Sequence, residues 1–480
     1  MKKTAKFLGA IALLSTVFFS CSKSSSSSEN NNISTPPLQI GQAITSTNLG
    51  VNGQITAVKG TMLTTAGTYN VLGDLVVNKG DTLYLQPGVT VCVQNKATIV
   101  VKGVLVSNGS QAQPNSFTVC SATKTTTIAQ GANPGTDNAY QGLWTGINCD
   151  TTCTLLCLKW THVEFAGGVF DATVGGTFNG GTAGKNSYAV LFQNLNGDCI
   201  IEDSWFYGNV DDCIRVQYGR LSIMRNTFEK SGLVGGDVVN MKSGAIGDCA
   251  YNVIIGGATN GTKASNKGTE PVECNINMYN NTYIDCGYRQ AGQAGRGGSI
   301  NYEQGAEGMA YNNLIVNCRV GLRIVNNPVA DTTNCHYGNN FAYADSDAVC
   351  NQFYPVGYYT HDYAYVVPSQ KQVDSLGYTY SGATGSSAYT GSYFTTKNNP
   401  KFKNFPLPVS GAGFQNLSDI ACTGSFDFHL AANSPCIGNG YTNFNPIRAT
   451  KVTKAPFAAT VTAPGVDIGA YQSNGSGNQH

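Results

Sequence analysis

The chain has 480 residues, a formal net charge of +1 and only 12% charged residues. That balance excludes a nucleic-acid footprint, which needs clustered Lys and Arg. With 57 glycines, abundant Asn and Thr and no long amphipathic periodicity, the composition favours many short strands joined by turns.

The first element in chain order reads as an address. Lys2, Lys3 and Lys6 form a positive region, and the apolar run 7–19 is short for a bilayer span. It ends in Val17-Phe18-Phe19-Ser20-Cys21, which resembles the lipobox of bacterial lipoproteins. The resemblance implies a signal peptide over 1–20, lipid on Cys21 and an envelope location at the outer membrane, periplasmic or surface-exposed. A plain secretory signal with an incidental cysteine is the alternative. Residues 21–45 then form a tether, with the polar run "SKSSSSSENNN" having nothing to bury.

Sixteen cysteines suggest a disulfide framework. Removing Cys21 leaves an odd number, however, and several stand in apolar strand-like contexts, such as Cys92 in "VTVCVQ" and Cys274 in "VECNIN". Buried cysteine behaves as a small hydrophobe. Cys149, Cys153 and Cys157 recur every four residues, which places them on one face of a strand. Without histidine partners they read as structural rather than metal ligands. No metal or cofactor is expected, and one or two disulfides are compatible with this reading.

The segment 73–109 alternates strands with glycine-bearing turns, and a clearer repeat follows. Asn226, Asn252, Asn281, Asn313 and Asn340 each precede alternating apolar residues, at intervals of 26, 29, 32 and 27 residues, with Ser204 a further 22 upstream. These are the lengths of single turns of a β-solenoid, in which each coil pairs with its neighbours about 4.8 Å away. Asn suits the bends, since it tolerates left-handed backbone and can bond the next coil's amide.

On these repeats, with "GLWTGI" at 142–147 and "LKWTHVEFAGG" at 158–168, the chain resembles right-handed parallel β-helix proteins of the pectin-lyase-like superfamily. The predicted fold is therefore all-β, a right-handed parallel β-helix over 46–343. "FHLAANSPCIGNG" and "VDIGAYQ" resemble the closing segment of bacterial members, here assigned to 401–480, although the "DxDGxxR" stretch common between them is missing. Between them and the coils, 344–400 is tyrosine-rich and reads as an insertion or an irregular coil. Its tyrosines could stack on sugar rings or cover a solenoid end.

The coils align strand on strand. Ile214, Val239, Ile300 and Leu322 share one phase with Val216, Met241, Tyr302 and Ile324, and period two turns that phase inward. Outward and towards solvent run Arg215, Asn240, Asn301 and Arg323, beside Gln193, Gln217, Lys242 and Glu303. If one unaligned coil lies between Lys242 and Glu303, they stand about 10 Å apart. Adjacent Asp211 and Asp212 superficially resemble the Asp-Asp segment of polygalacturonase-type glycosidases. That family's Gly-His-Gly is absent, however, and Arg323-Ile324-Val325 stands where it has Arg-Ile-Lys. Neighbours on a straight strand point to opposite faces, so the pair reads as a turn that caps backbone amides rather than as two carboxylates in one cleft.

The functional expectation is an envelope lipoprotein whose polar face binds polysaccharide through Gln193, Gln217, Asn240, Asn301 and Glu303. A polysaccharide lyase is the alternative, with Lys242 as the base and Arg215 or Arg323 opposing the uronate carboxylate. Glycoside hydrolysis is less favoured, and a structural or adhesive role is a third class. The glycine-rich stretches 175–186 and 287–298 could wall a groove, but lack the setting of a phosphate loop. The expected partners are a glycan and, through lipid, a membrane, with the chain acting as a monomer.

Overall fold

In the computed structural model, residues 40–125, 136–171, 183–233, 235–266, 272–289, 297–319, 321–324, 330–331, 333–343, 399–405 and 427–480 are described. Cys21, most of the tether and nearly all of the tyrosine-rich stretch fall outside them. Between Asn48–Leu49 and Phe341–Tyr343 short strands recur three to a coil, and each joins its equivalent in the coils above and below. Three parallel sheets result, one of eleven strands and two of ten. The architecture is the right-handed parallel β-helix expected from the repeats.

The sheets differ in what covers their outer faces. On the ladder sheet (eleven strands), Thr227–Ser231, Val253–Ile255, Thr282–Ile284, Leu314–Val316 and Phe341–Tyr343 each begin just after a repeated Asn. The cleft sheet contains Ile214–Val216, Val239–Lys242, Asn260–Ser265 and Gly298–Glu303, and the flank sheet contains Asp198–Glu202, Gly219–Met224 and Ala245–Ala250.

Alternation fills the interior. Ile99, Ile147, Val190, Ile214, Val239, Thr262 and Ile300 stack in register along the cleft sheet, each at 1% exposure or less. Leu322, one residue before Arg323 in the next strand, is equally buried. Thr262 is the polar exception, and its hydroxyl is satisfied by the Tyr283 hydroxyl at 2.8 Å. Cys149 ends one strand, Cys153 lies in the following turn and Cys157 sits in the next strand, so the three do not share a strand face as expected. Cys149 and Cys153 join the core, whereas the Cys157 thiol faces outward to the Phe457 carbonyl. Cys92 and Cys120 form a disulfide between neighbouring coils.

The repeated asparagines form a ladder. Each Oδ1 accepts both the backbone amide and the Nδ2 of the preceding member, from Asn226–Asn252 through Asn313–Asn340, at 2.9–3.1 Å. Ser204 continues it, donating its amide to Asn226 and accepting that of Thr161. The left-handed residue is not the ladder Asn but the one before it. Arg225, Tyr251, Asn280, Asn312 and Asn339 have φ between 49° and 59°. Each such turn costs a non-glycine residue about 1–2 kcal/mol, which the fully bonded buried amide beside it offsets.

The C-terminal segment, expected to close the end of the coils, runs along their sides among the described residues. Phe405, Phe428, Ile468 and Tyr471 cover Val253, Ile284, Leu314 and Val316 on the outer ladder sheet. An extended stretch then lies across the flank sheet, held by buried outward carboxylates. Asp248 accepts the amides of Ile447 and Arg448, Asp198 those of Lys451 and Val452, and Glu202 that of Thr460.

Candidate functional site

A polar cavity of about 560 Å³ opens on the cleft sheet, within the roughly 300–1,000 Å³ usual for small-ligand sites. Its walls include Asp211, Asp212, Arg215, Asp237, Asn240, Lys242, Lys263 and Glu303. Four of the residues singled out in the sequence therefore meet here: Arg215, Asn240, Lys242 and Glu303. Gln193, Gln217, Asn301 and Arg323 do not line it. The outward phase is confirmed by register, with Arg215, Asn240, Lys263, Asn301 and Arg323 forming one column. Outward does not mean solvated, however. Asn240, Asn301 and Arg323 are all buried.

The coil that could not be aligned is Asn260–Ser265. Ser265 stands between Lys242 and Glu303, so one strand separates them, as the spacing suggested. Its sequence, "NGTKAS", presents inward Thr262 and Ala264 instead of large apolar residues, which hid both the strand and Lys263.

Asp211 and Asp212 share the cavity after all. They sit in the bend before the strand Ile214–Val216, where strict alternation does not apply. Gly236 of the next coil fits against this bend with φ +104°, and a β-carbon there would fall 2.3 Å from the Asp211 carbonyl carbon. Asp212 does cap backbone, as expected of a turn residue, since its Oδ1 accepts the Asp237 amide at 2.7 Å. Asp237 repeats the role one coil on, accepting the amide and Nδ2 of Asn260 at 3.2 and 2.7 Å. Asp212, Asp237 and Asn260 thus form a second ladder, each two residues ahead of its strand's core position.

These ladder carboxylates also hold the cations. Asp212 Oδ2 accepts Arg215 Nε at 2.7 Å and Asn240 Nδ2 at 2.8 Å, while the Arg215 guanidinium lies 4.2 Å from the Tyr188 ring centroid. Lys263 bridges Glu303 at 2.5 Å and Asp237 at 3.8 Å. Burial disfavours the charge on Asp237, but Lys263 and the Asn260 side chain hold its carboxyl below the usual range. Arg323 donates to Asn260 Oδ1 at 3.2 Å, so it braces the second ladder, and it does not line the cavity. Arg215, expected to oppose a uronate carboxylate, is already the counter-ion of the buried Asp212 carboxylate.

Two groups are left uncommitted in the cavity. Lys242 has no hydrogen bond or ion pair among the described residues. Burial, with Lys263 and Arg215 nearby, pulls its ammonium down to about 8. Among the described residues the Asp211 carboxyl accepts only the Asp212 amide, at 2.9 Å. Burial, with Asp212 beside it, pushes its carboxyl up to about 6. One wall thus offers a base that is partly neutral near neutral pH, and another offers a carboxyl that is partly protonated there. Groups whose environments drive their pKa values towards neutrality are suited to general acid and base work.

Sequence reasoning missed Lys263 and Asp237, and set Asp211 aside. The signal that would have found them is the Asp212–Asp237–Asn260 spacing of 25 and 23 residues. The glycine-rich stretches proposed as groove walls lie largely outside the described residues. The chain matches no protein-family model, no curated protein and no solved structure.

Proposed function

We propose that the cleft-sheet cavity binds a polysaccharide segment and that the protein belongs with the pectin-lyase-like β-helix proteins. The observation that carries the reading is Lys242, a partly buried cation with no ion-pair partner among the described residues, facing a polar cavity. Buried charges are ordinarily paired, so an acidic sugar supplies the missing partner. Asn240, Asp211 and Glu303 offer donors and acceptors for hydroxyls around it.

A second reading, elimination by a polysaccharide lyase, is favoured by the chemistry of Lys242 and Asp211. Neutral Lys242 removes the proton beside the uronate carboxylate, and Arg215 and Lys263 stabilise the charge that develops. The bond to the leaving glycosidic oxygen then breaks, and that oxygen takes the Asp211 proton.

The test is to incubate purified protein with a panel of uronic-acid and neutral polysaccharides, measuring retention and the absorbance of unsaturated products. Retention by an acidic glycan, lost in Lys242→Ala at unchanged stability, supports binding. Unsaturated product supports elimination, whereas new reducing ends without it assign the cleavage to hydrolysis.

We also propose lipid on Cys21, from the lipobox resemblance, as the attachment to the envelope. Cys21→Ser should release the protein from membranes or leave its signal unprocessed. Unchanged partitioning with normal processing contradicts the anchor.

A further inference from the structure

Two buried thiols stand apart from everything the cleft uses. Cys286 follows the strand Thr282–Ile284 by two residues, and Cys318 follows Leu314–Val316 by two. These strands are parallel neighbours with Ile284 opposite Val316, so the two cysteines occupy equivalent places in adjacent coils. The register persists past the strands, where the Arg319 amide donates to the Cys286 carbonyl at 2.8 Å.

Each sulfur also takes the same orientation. Cys286 Sγ lies 3.5 Å from the Ile284 carbonyl oxygen and Cys318 Sγ 3.6 Å from that of Val316. The thiols are therefore stacked about one coil spacing apart, about 4.8 Å. That spacing falls inside the Cα window for a disulfide, roughly 4.4–6.8 Å. The bridge Cys92–Cys120 already joins neighbouring coils with its Cα atoms 5.4 Å apart. Among the described free cysteines no other two stand opposite each other on neighbouring strands.

We propose that Cys286 and Cys318 form a coil-to-coil disulfide site, closed by exchange with an external disulfide. The Cys286 thiolate attacks one sulfur of that disulfide. The external S–S bond breaks, and the second sulfur leaves as a thiolate with the bonding pair. Cys318 then gives its proton to solvent and displaces the remaining external thiolate from Cys286. Two protein thiols are oxidised and one external disulfide is reduced to two thiols.

Both residues are fully buried, so exchange takes place while the last coils are still closing. The bridge would fix two coils whose next strands carry Asn301 with Glu303 and Arg323.

The test is to unfold and reduce the full chain and refold it with oxidised and reduced glutathione. Remaining thiols are then blocked with iodoacetamide under denaturing conditions, and the digest is mapped by mass spectrometry. The expected result is a reductant-sensitive peptide pair joining Cys286 to Cys318, alongside the Cys92–Cys120 pair. In Cys286→Ser, Cys318 should instead carry the alkyl group while Cys92–Cys120 stays joined. Alkylation of both Cys286 and Cys318 in wild-type protein whose Cys92–Cys120 bridge has formed overturns the proposal. So does a bridge from either one to a different cysteine.

Discussion

Asp211 and Asp212 are adjacent, yet the chain uses them differently. Asp212 is committed to the Asp237 amide, Arg215 and Asn240, while Asp211 keeps one carboxylate oxygen for the cavity. Asp212→Leu should cost about 1–3 kcal/mol, because the buried Asp237 amide and Asn240 side chain lose their acceptor and half-buried Arg215 loses its partner. Asp211→Asn should leave the denaturation midpoint nearly unchanged and remove turnover if the cleft eliminates. Under that mechanism the active form needs neutral Lys242 and protonated Asp211. Activity should therefore trace a bell with limbs at about 6 and about 8.

A different carboxyl sets a pH effect on stability. Burial lifts Glu229, on the outer ladder sheet, to about 8, with Glu164 adding to the rise and Lys124 and Lys230 opposing it. A folded-state value above the unfolded one favours folding at low pH, and that advantage is lost as pH rises through about 8. Glu229→Gln should thus be neutral near about pH 4 and stabilising by about 1–2 kcal/mol near about pH 9, after discounting for solvent screening. Urea midpoints at the two pH values check this.

At the scale of elements, two side-chain ladders set the coil register. Asn281 is fully buried and bonded to Asn252, Asn313 and the Cys249 carbonyl. Asn281→Ala leaves several of these groups unpaired and should cost about 2–4 kcal/mol in chemical denaturation. This ladder was legible in the sequence because its anchors precede regular apolar alternation. The Asp212–Asp237–Asn260 ladder was not, because an Asp before a strand reads equally well as an ordinary turn. Its third coil, with inward Thr262 and Ala264, also shows no apolar phase. Period two correctly turned Arg215, Asn240, Asn301 and Arg323 outward. It could not show that three of them are buried, since that depends on partners in their own and nearby coils, Asp212 for Asn240, Glu303 for Asn301 and Asn260 for Arg323. On the other two sheets outward residues are buried by segments far away in the chain.

Those distant segments shape the unit spanning residues 39–480. The C-terminal chain covers outer faces of the ladder and flank sheets, using apolar residues on one and backbone amides bound to Asp198, Glu202 and Asp248 on the other. The polar cavity lies on the remaining sheet. The fold was readable from local repeats, whereas this division of faces rests on contacts more than 150 residues apart, such as Gly465 with Asn280 and Lys451 with Asp198. The central claim is that Lys242 meets an acidic glycan in this cavity. Affinity for uronic-acid polysaccharides, measured for wild-type and Lys242→Ala proteins of matched stability, tests it most directly. The account predicts retention of an acidic glycan that falls at least about tenfold, or 1.4 kcal/mol, in the variant. Equal affinity of the two proteins for every acidic glycan they bind would contradict it.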